Sequence, residues 1–189
     1  MVRRRVKFCR ALPVSVALLI ATSGCSERTF DDGPLGEWDE GTNATCSKQL
    51  DGRMTITSGG NPMLHRGRAA VTITEVSAVG SRGFEIIDTF LVPPHGLGNG
   101  GQYPPDPDDA GPTWEAWEKR IPAEGTTIQP GEEWWLVVGL RAETRHAAVE
   151  RFQVDYQDAA GTKYRYRTRV SHFLRPDCEG SLAEWRAER

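Results

Sequence analysis

From Met54 to Val170 the apolar residues recur mostly at alternate positions, in short runs rich in Val, Ile, Thr, Phe and Tyr that Gly, Pro or Asn closes. A period of two sends one face of a run into a core and the other into water, which fits strands and not helices. Met54 and Ile56 alternate with Thr55 and Thr57, and Ser58-Gly59-Gly60-Asn61-Pro62 is expected to break that strand. In Ala69–Val79, Val71 and Ile73 share a face before the apolar phase moves to Val76, so a bulge is expected near Glu75. Phe84, Ile86, Phe90 and Val92 share a parity in the next run, which Pro93-Pro94 ends.

Trp134–Arg141 is apolar at both parities, the pattern of a central strand covered on both faces. Gly139 interrupts it where a neighbour can come close. The last hairpin fixes its own register. Phe152, Val154 and Tyr156 share one face, as do Tyr164, Tyr166 and Val170, and both sets point the same way only if the loop has an odd number of residues. Ala159-Ala160-Gly161 supplies three, with glycine for a positive φ. Tyr156 is then opposite Tyr164, Asp155 opposite Arg165 and Arg151 opposite Arg169.

About seven such strands without a long amphipathic helix predict an all-β domain over residues 46–178. A two-layer immunoglobulin-like antiparallel sandwich is the expected form, with a small closed barrel as the alternative. Residues 94–125 form the anomaly, a Pro/Gly-rich connection too long for an ordinary loop. Within it Trp114-Glu115-Ala116-Trp117 predicts one helical turn that lays indoles over an open edge or end of the sheet. Residues 179–189 read as a frayed helix or an ordered tail.

The chain begins with the basic run Arg3-Arg4-Arg5-Val6-Lys7, an apolar run Ala11–Ala21 and then Ala21-Thr22-Ser23-Gly24-Cys25. This resembles the bacterial lipoprotein signal, although Thr22 stands where leucine is more usual. The apolar run falls short of the roughly twenty residues that span a bilayer. The resemblance implies removal of residues 1–24 and a lipid on the Cys25 thiol, which would hold the protein on the outer face of the cytoplasmic membrane, or on an outer membrane if the host has one. The alternative is an ordinary secretory signal with Cys25 a plain thiol. Nineteen Arg against four Lys suggest a GC-rich, actinomycete-like host. Residues 25–45 are acidic and aperiodic and are expected to be a tether, with a reach on the order of 25 Å.

Loss of Arg3, Arg4, Arg5, Lys7 and Arg10 would leave 18 of 23 basic side chains against 26 acidic ones, a net charge of about −8. An acidic protein has no general attraction for nucleic acid or anionic lipid, so any hold on the membrane falls to the Cys25 lipid. Cys46 and Cys178 flank the patterned region, and export to an oxidising space favours a bridge between them, with two free thiols as the alternative. Closing so long a loop would contribute at most about 5 kcal/mol.

Several groups of residues invite a site. Lys163, Arg165, Arg167 and Arg169 form a basic row that could grip an anionic ligand or lie solvated beside acids. Trp114, Trp117, Trp134 and Trp135 could be aromatic platforms or core. Asp106, Asp108 and Asp109 lack a calcium-loop spacing, and Met54, Met63 and His65 are a thin basis for copper. His65, His95, His146 and His172 show no metal-binding spacing, and no G-x-S-x-G elbow occurs. No catalytic set and no cofactor are expected.

Gln129-Pro130-Gly131-Glu132, Leu136-Val137-Val138-Gly139-Leu140-Arg141, Val154-x-Tyr156 and Tyr164 together resemble a group of uncharacterised actinobacterial exported proteins and lipoproteins, over residues 50–175. That resemblance implies a β-sandwich at the cell surface and brings no catalytic residues. The function expected is a non-catalytic, lipid-anchored surface domain that binds a protein or cell-envelope polymer through residues 94–125, with Trp114, Trp117, Arg165, Arg167 and Arg169 as candidate contacts. A solute- or metal-binding lipoprotein serving a transporter or metalloenzyme is the alternative, and a surface hydrolase ranks last.

Overall fold

The structure, a computed structural model, describes residues 28–36, 42–48, 55–95, 97–108 and 112–187. The expected signal segment, Cys25, Met54 and Asp109 lie outside them. The described part is mostly β. In chain order it contains β1 Thr29–Phe30, β2 Leu35–Gly36, β3 Asn43–Lys48, β4 Thr55–His65, β5 Val71–Val79, β6 Phe84–Val92 and β7 Asn99–Gln102. Helix α1 Pro112–Glu118 follows, then β8 Ile121–Pro122, β9 Thr127–Ile128, β10 Glu133–Ala142, β11 Ala147–Val149, β12 Arg151–Asp158, β13 Lys163–Arg167, β14 Val170–Arg175 and helix α2 Leu182–Ala187.

One sheet runs β1-β13-β12-β5-β9 and a second runs β2-β4-β10-β6-β8, with β7 on the same edge of β4 as β2 but at its other end. A third joins β11, β14 and β3. Pairing is antiparallel except for β1 on β13 and β3 on β14. Side chains of both larger sheets enter one core, among them Met63, Ile73, Leu91, Leu136, Val138, Leu140, Phe152, Val154 and Tyr156. The third sheet contributes Val149 and Leu174.

Strand β10 is central, paired with β4 on one side and β6 on the other. Leu136, Val138 and Leu140 enter the main core, while Val137 enters a second apolar cluster on the opposite face. Burial on both sides is the reason both parities are apolar. The β12–β13 hairpin has the expected register, with Tyr156 opposite Tyr164 and Asp155 opposite Arg165. Its loop turns at Gly161, φ 83°, and Asp158 Oδ1 accepts from the N–H groups of Ala160 and Thr162. Asp155 pairs with Glu75 and Tyr156 with Ile73, which leaves Thr74 as the extra residue of the bulge.

The structure corrects four expectations. Ser58–Pro62 does not end the strand, because Leu136 pairs with Asn61 and Val138 with Ser58, so Gly59 and Gly60 together oppose Val137. The glycines form a bulge, and Pro62 lies between the stretches of β4 that pair β7 and β2, where a missing N–H costs no bond on that side. Arg169 does not pair with Arg151. Thr168 ends the ladder instead, donating its N–H to Phe152 O while Phe152 N–H donates to Thr168 Oγ1, 2.9 Å in each case. The chain then crosses to the third sheet, so Val170 leaves the hairpin.

The described part of residues 25–45 is not a free tether. Phe30 packs against Tyr164, and Leu35 is buried with its N–H donated to Tyr156 Oη at 3.2 Å. Two apolar anchors suffice to dock a segment that has no period of its own. Burial holds the Tyr156 hydroxyl up at a pKa of about 12. At the other end, α2 sets Trp185 against Phe173, so the domain reaches beyond 178. Cys46 and Cys178 are bonded across a separation of 132 residues, their Cα atoms 5.8 Å apart, and with β3 on β14 they tie the first and last thirds of the domain.

Candidate functional site

The long connection after β6 folds onto the outer face of the β4-β10-β6 sheet, and the cause is Gly139. A Cβ there would stand 2.4 Å from the Tyr103 ring, so only glycine lets the phenol lie flat on the strand. Tyr103 is buried, and its hydroxyl donates to Asp88 Oδ2 at 2.9 Å. Burial first, and then that bond, push the Tyr103 pKa up.

Helix α1 begins at Pro112, whose missing N–H is an orphan at a first turn in any case. Trp114 and Trp117, three apart, share a face. Trp117 is 5% exposed and meets Tyr103 and Phe90 edge-on at 5.7 and 5.4 Å. Arg120 lays its guanidinium 4.3 Å over the Trp117 ring and donates to the Trp117 carbonyl at 2.9 Å. Leu97, Ala116, Val92 and Val137 complete the cluster.

The folded connection leaves an aromatic and polar surface open. Trp114 and Trp135 are half-buried, and exposed His95 stands edge-on to Trp135 at 5.3 Å. Where the connection meets β4, a groove of about 230 Å³ runs past Thr57, Asn99, Gln102, Asp106 and Thr113, with Gly98 and Gly101 bare along it. Asn99 is held rigidly, since its Oδ1 accepts from Gly59 and Gly60 N–H at 3.0 Å each. Thr57 donates to Gln102 O at 2.6 Å and pins β7 to the sheet.

The candidate residues of the sequence do not converge. Trp117 is buried structure rather than an open platform, and the indoles cover the sheet face rather than its edge. Trp114 is half-buried and packs against the second apolar cluster, one residue after Thr113, which lines the groove. Lys163, Arg165 and Arg167 lie on β13 in the other large sheet. Arg165 makes a two-pronged bond to Asp155, Nε to Oδ1 at 2.7 Å and an outer nitrogen to Oδ2 at 3.0 Å. Arg167 pairs with Asp31 at 3.4 Å, while Arg169 sits past the strand's end with its carbonyl accepting from Asn43 N–H. Arg165 and Arg167 are thus each paired with a neighbouring acid, as in the solvated alternative. Glu132 and Glu133 accept from the Trp134 and Trp135 indoles at 3.3 and 3.2 Å.

Met63 and His65 are buried, and His65 Nε2 bonds Ala69 O while Nδ1 accepts from Gly67 N–H. Among the described residues no three His, Cys, Asp or Glu side chains come together as a metal site. No pattern of residues foretells a buried Ser58–His172 pair, 2.7 Å between Oγ and Nε2, with Asn61 Nδ2 donating to the same hydroxyl at 2.8 Å. The distance suits a nucleophile and its base, but both side chains are fully buried and His172 Nδ1 has no orienting partner among the described residues. Burial also pulls the His172 pKa down to about 4.

No family model matches the sequence, and no curated protein matches it. Among solved structures the chain is similar to a Vibrio cholerae VesB protease, at 11% identity and a TM-score of 0.33, over 74% of this chain and 31% of that one. It is also similar to PapD-like domain 7 of human CEP192, at 9% identity and a TM-score of 0.34, over 71% of this chain and 82% of that one. Neither similarity is strong enough to assign a fold or an activity.

Proposed function

We propose that the protein is a non-catalytic, lipid-anchored domain of the bacterial cell surface, an immunoglobulin-like sandwich that binds a cell-envelope partner through the connection between β6 and β8. The observation that carries the reading is the docked connection itself. Tyr103, Trp117 and Arg120 fix its backbone on the sheet, and Trp114, Trp135 and the groove at Asn99 stay accessible. A recognition surface on a rigid support is what a binding module needs, since a pre-ordered loop loses little entropy when it binds. The lipid anchor rests on Ala21-Thr22-Ser23-Gly24-Cys25, and the sandwich reading on two large sheets that share one core.

The test is sedimentation of the full-length chain with detergent-washed envelopes of the source organism, the detergent removing the lipid's own contribution. Trp114→Ala and Gly101→Phe should each lower the bound fraction at least fivefold, while Arg165→Ala on the other sheet leaves it unchanged. Equal binding by all four proteins, or none by wild type, would contradict the reading. Incorporation of an alkynyl fatty acid into wild type and not into Cys25→Ser tests the anchor.

A further inference from the structure

We infer that the groove at Asn99 is a saccharide subsite, which takes about one ring of a neutral glycan; this rests on the reading of the connection as the binding surface. The groove offers the groups a sugar uses. Asn99, its Oδ1 fixed by two backbone N–H groups, presents its Nδ2 as a donor of set direction. Asp106 spends Oδ1 on the Asp108 N–H at 3.0 Å and keeps Oδ2 as an acceptor, and the Thr113 hydroxyl can donate or accept a hydrogen bond.

An amide, a carboxylate and a hydroxyl around one hollow match the alternating donors and acceptors of vicinal hydroxyls. The half-buried indole of Trp114 lies on the same connection, one residue after Thr113, and is an apolar surface of the kind that the C–H face of a sugar covers. Charge selects against the alternatives. Among the described residues no lysine or arginine lines the groove, and Asp106 would repel a phosphate or carboxylate polymer. The volume, about 230 Å³, lies below the roughly 300–1,000 Å³ of sites that engulf a whole small molecule, as expected where one ring of a longer chain is seated.

Gly98 and Gly101 explain why the groove is open. A Cβ on either would meet nothing within 4 Å, and neither has the positive φ that would make a side chain costly. A bulky residue at these positions therefore fills the groove and leaves the fold intact.

The experiment is titration of the full-length chain in detergent with tetrasaccharides of N-acetylglucosamine, glucose and mannose, read by tryptophan fluorescence and calorimetry. The same sugars are then tested as competitors of envelope binding. At least one should bind saturably and compete. Gly98→Phe and Gly101→Phe should weaken it tenfold or more, and Asp106→Asn threefold or more, with circular dichroism and Tm unchanged. Saturable binding that Gly101→Phe does not weaken, or no saturable binding by any sugar, would overturn the inference. If envelope binding depends on the loop but is abolished by protease treatment of the envelopes and resists every sugar, the partner is a protein and only the saccharide inference falls. If no envelope binding depends on the loop, both fall.

Discussion

Substitution of His172 by glutamine should make the protein less sensitive to acid, and the size of the effect follows from burial. The imidazole is fully buried against Ser58 and Phe152, with a pKa of about 4 where an exposed histidine has about 6.5. Between those values the unfolded chain binds a proton that the native state refuses, so stability rises with pH across the window. The contribution is complete above pH 6.5 and is lost as pH falls toward 4. Roughly 2.5 pH units at about 1.4 kcal/mol each give roughly 3 kcal/mol. His172→Gln keeps a polar group near Ser58 and removes the titration. Urea unfolding at pH 7 and pH 4, with the disulfide intact, should find the variant less stable at pH 7 and the gap to wild type about 3 kcal/mol smaller at pH 4. Carboxylates that titrate in the same range cancel in the difference. A gap that is the same at both pH values, within about 1 kcal/mol, would refute the reasoning.

Gly139→Ala should cost about 1–3 kcal/mol through overpacking against Tyr103, and limited proteolysis should cut between residues 97 and 108 faster than in wild type. The Cys46→Ser, Cys178→Ser double variant should lose between 2 and about 5 kcal/mol in chemical unfolding, since the bond closes 132 residues of chain. Arg165→Ala should cost no more than about 1 kcal/mol by the same measurement, because its bond to Asp155 is a partly exposed one. Trp117→Ala should cost about 3–5 kcal/mol, far more than Trp114→Ala.

The elements legible in the sequence are those whose burial is written in a short period. Strand β10 announced itself by apolar residues at both parities, and the β12–β13 register followed from matching faces plus Gly161, since slipping by one would turn Tyr156 and Tyr164 outward. The bulge at Thr74 was visible as a change of phase. What was not legible depended on partners far along the chain. Gly59-Gly60 and Pro62 read as a break because their acceptance in β4 depends on Val137 opposite and on where β7 and β2 stop. Phe30 and Leu35 carry no period, and their docking shows only once Tyr156 and Tyr164 are in place.

At the candidate site the tryptophans of the connection stood out in the sequence, but whether Trp117 is platform or core stayed open until the fold placed it in the second apolar cluster. An indole in a Pro/Gly-rich segment gives no sign of which face is covered, and the deciding residue, Gly139, lies more than twenty positions further on. Asn99 and Thr57 escaped notice because isolated amides and hydroxyls acquire meaning only from what they face. The arginine row was legible as a pattern, whereas its neutralisation by Asp31 required β1 beside β13.

Hydrogen exchange of the full-length chain, with and without detergent-washed envelopes, tests the central claim most directly. The account predicts added protection in peptides covering residues 97–106 and 112–117, with residues 163–167 unchanged. Protection of residues 163–167 instead, or no change anywhere in the domain, would contradict it.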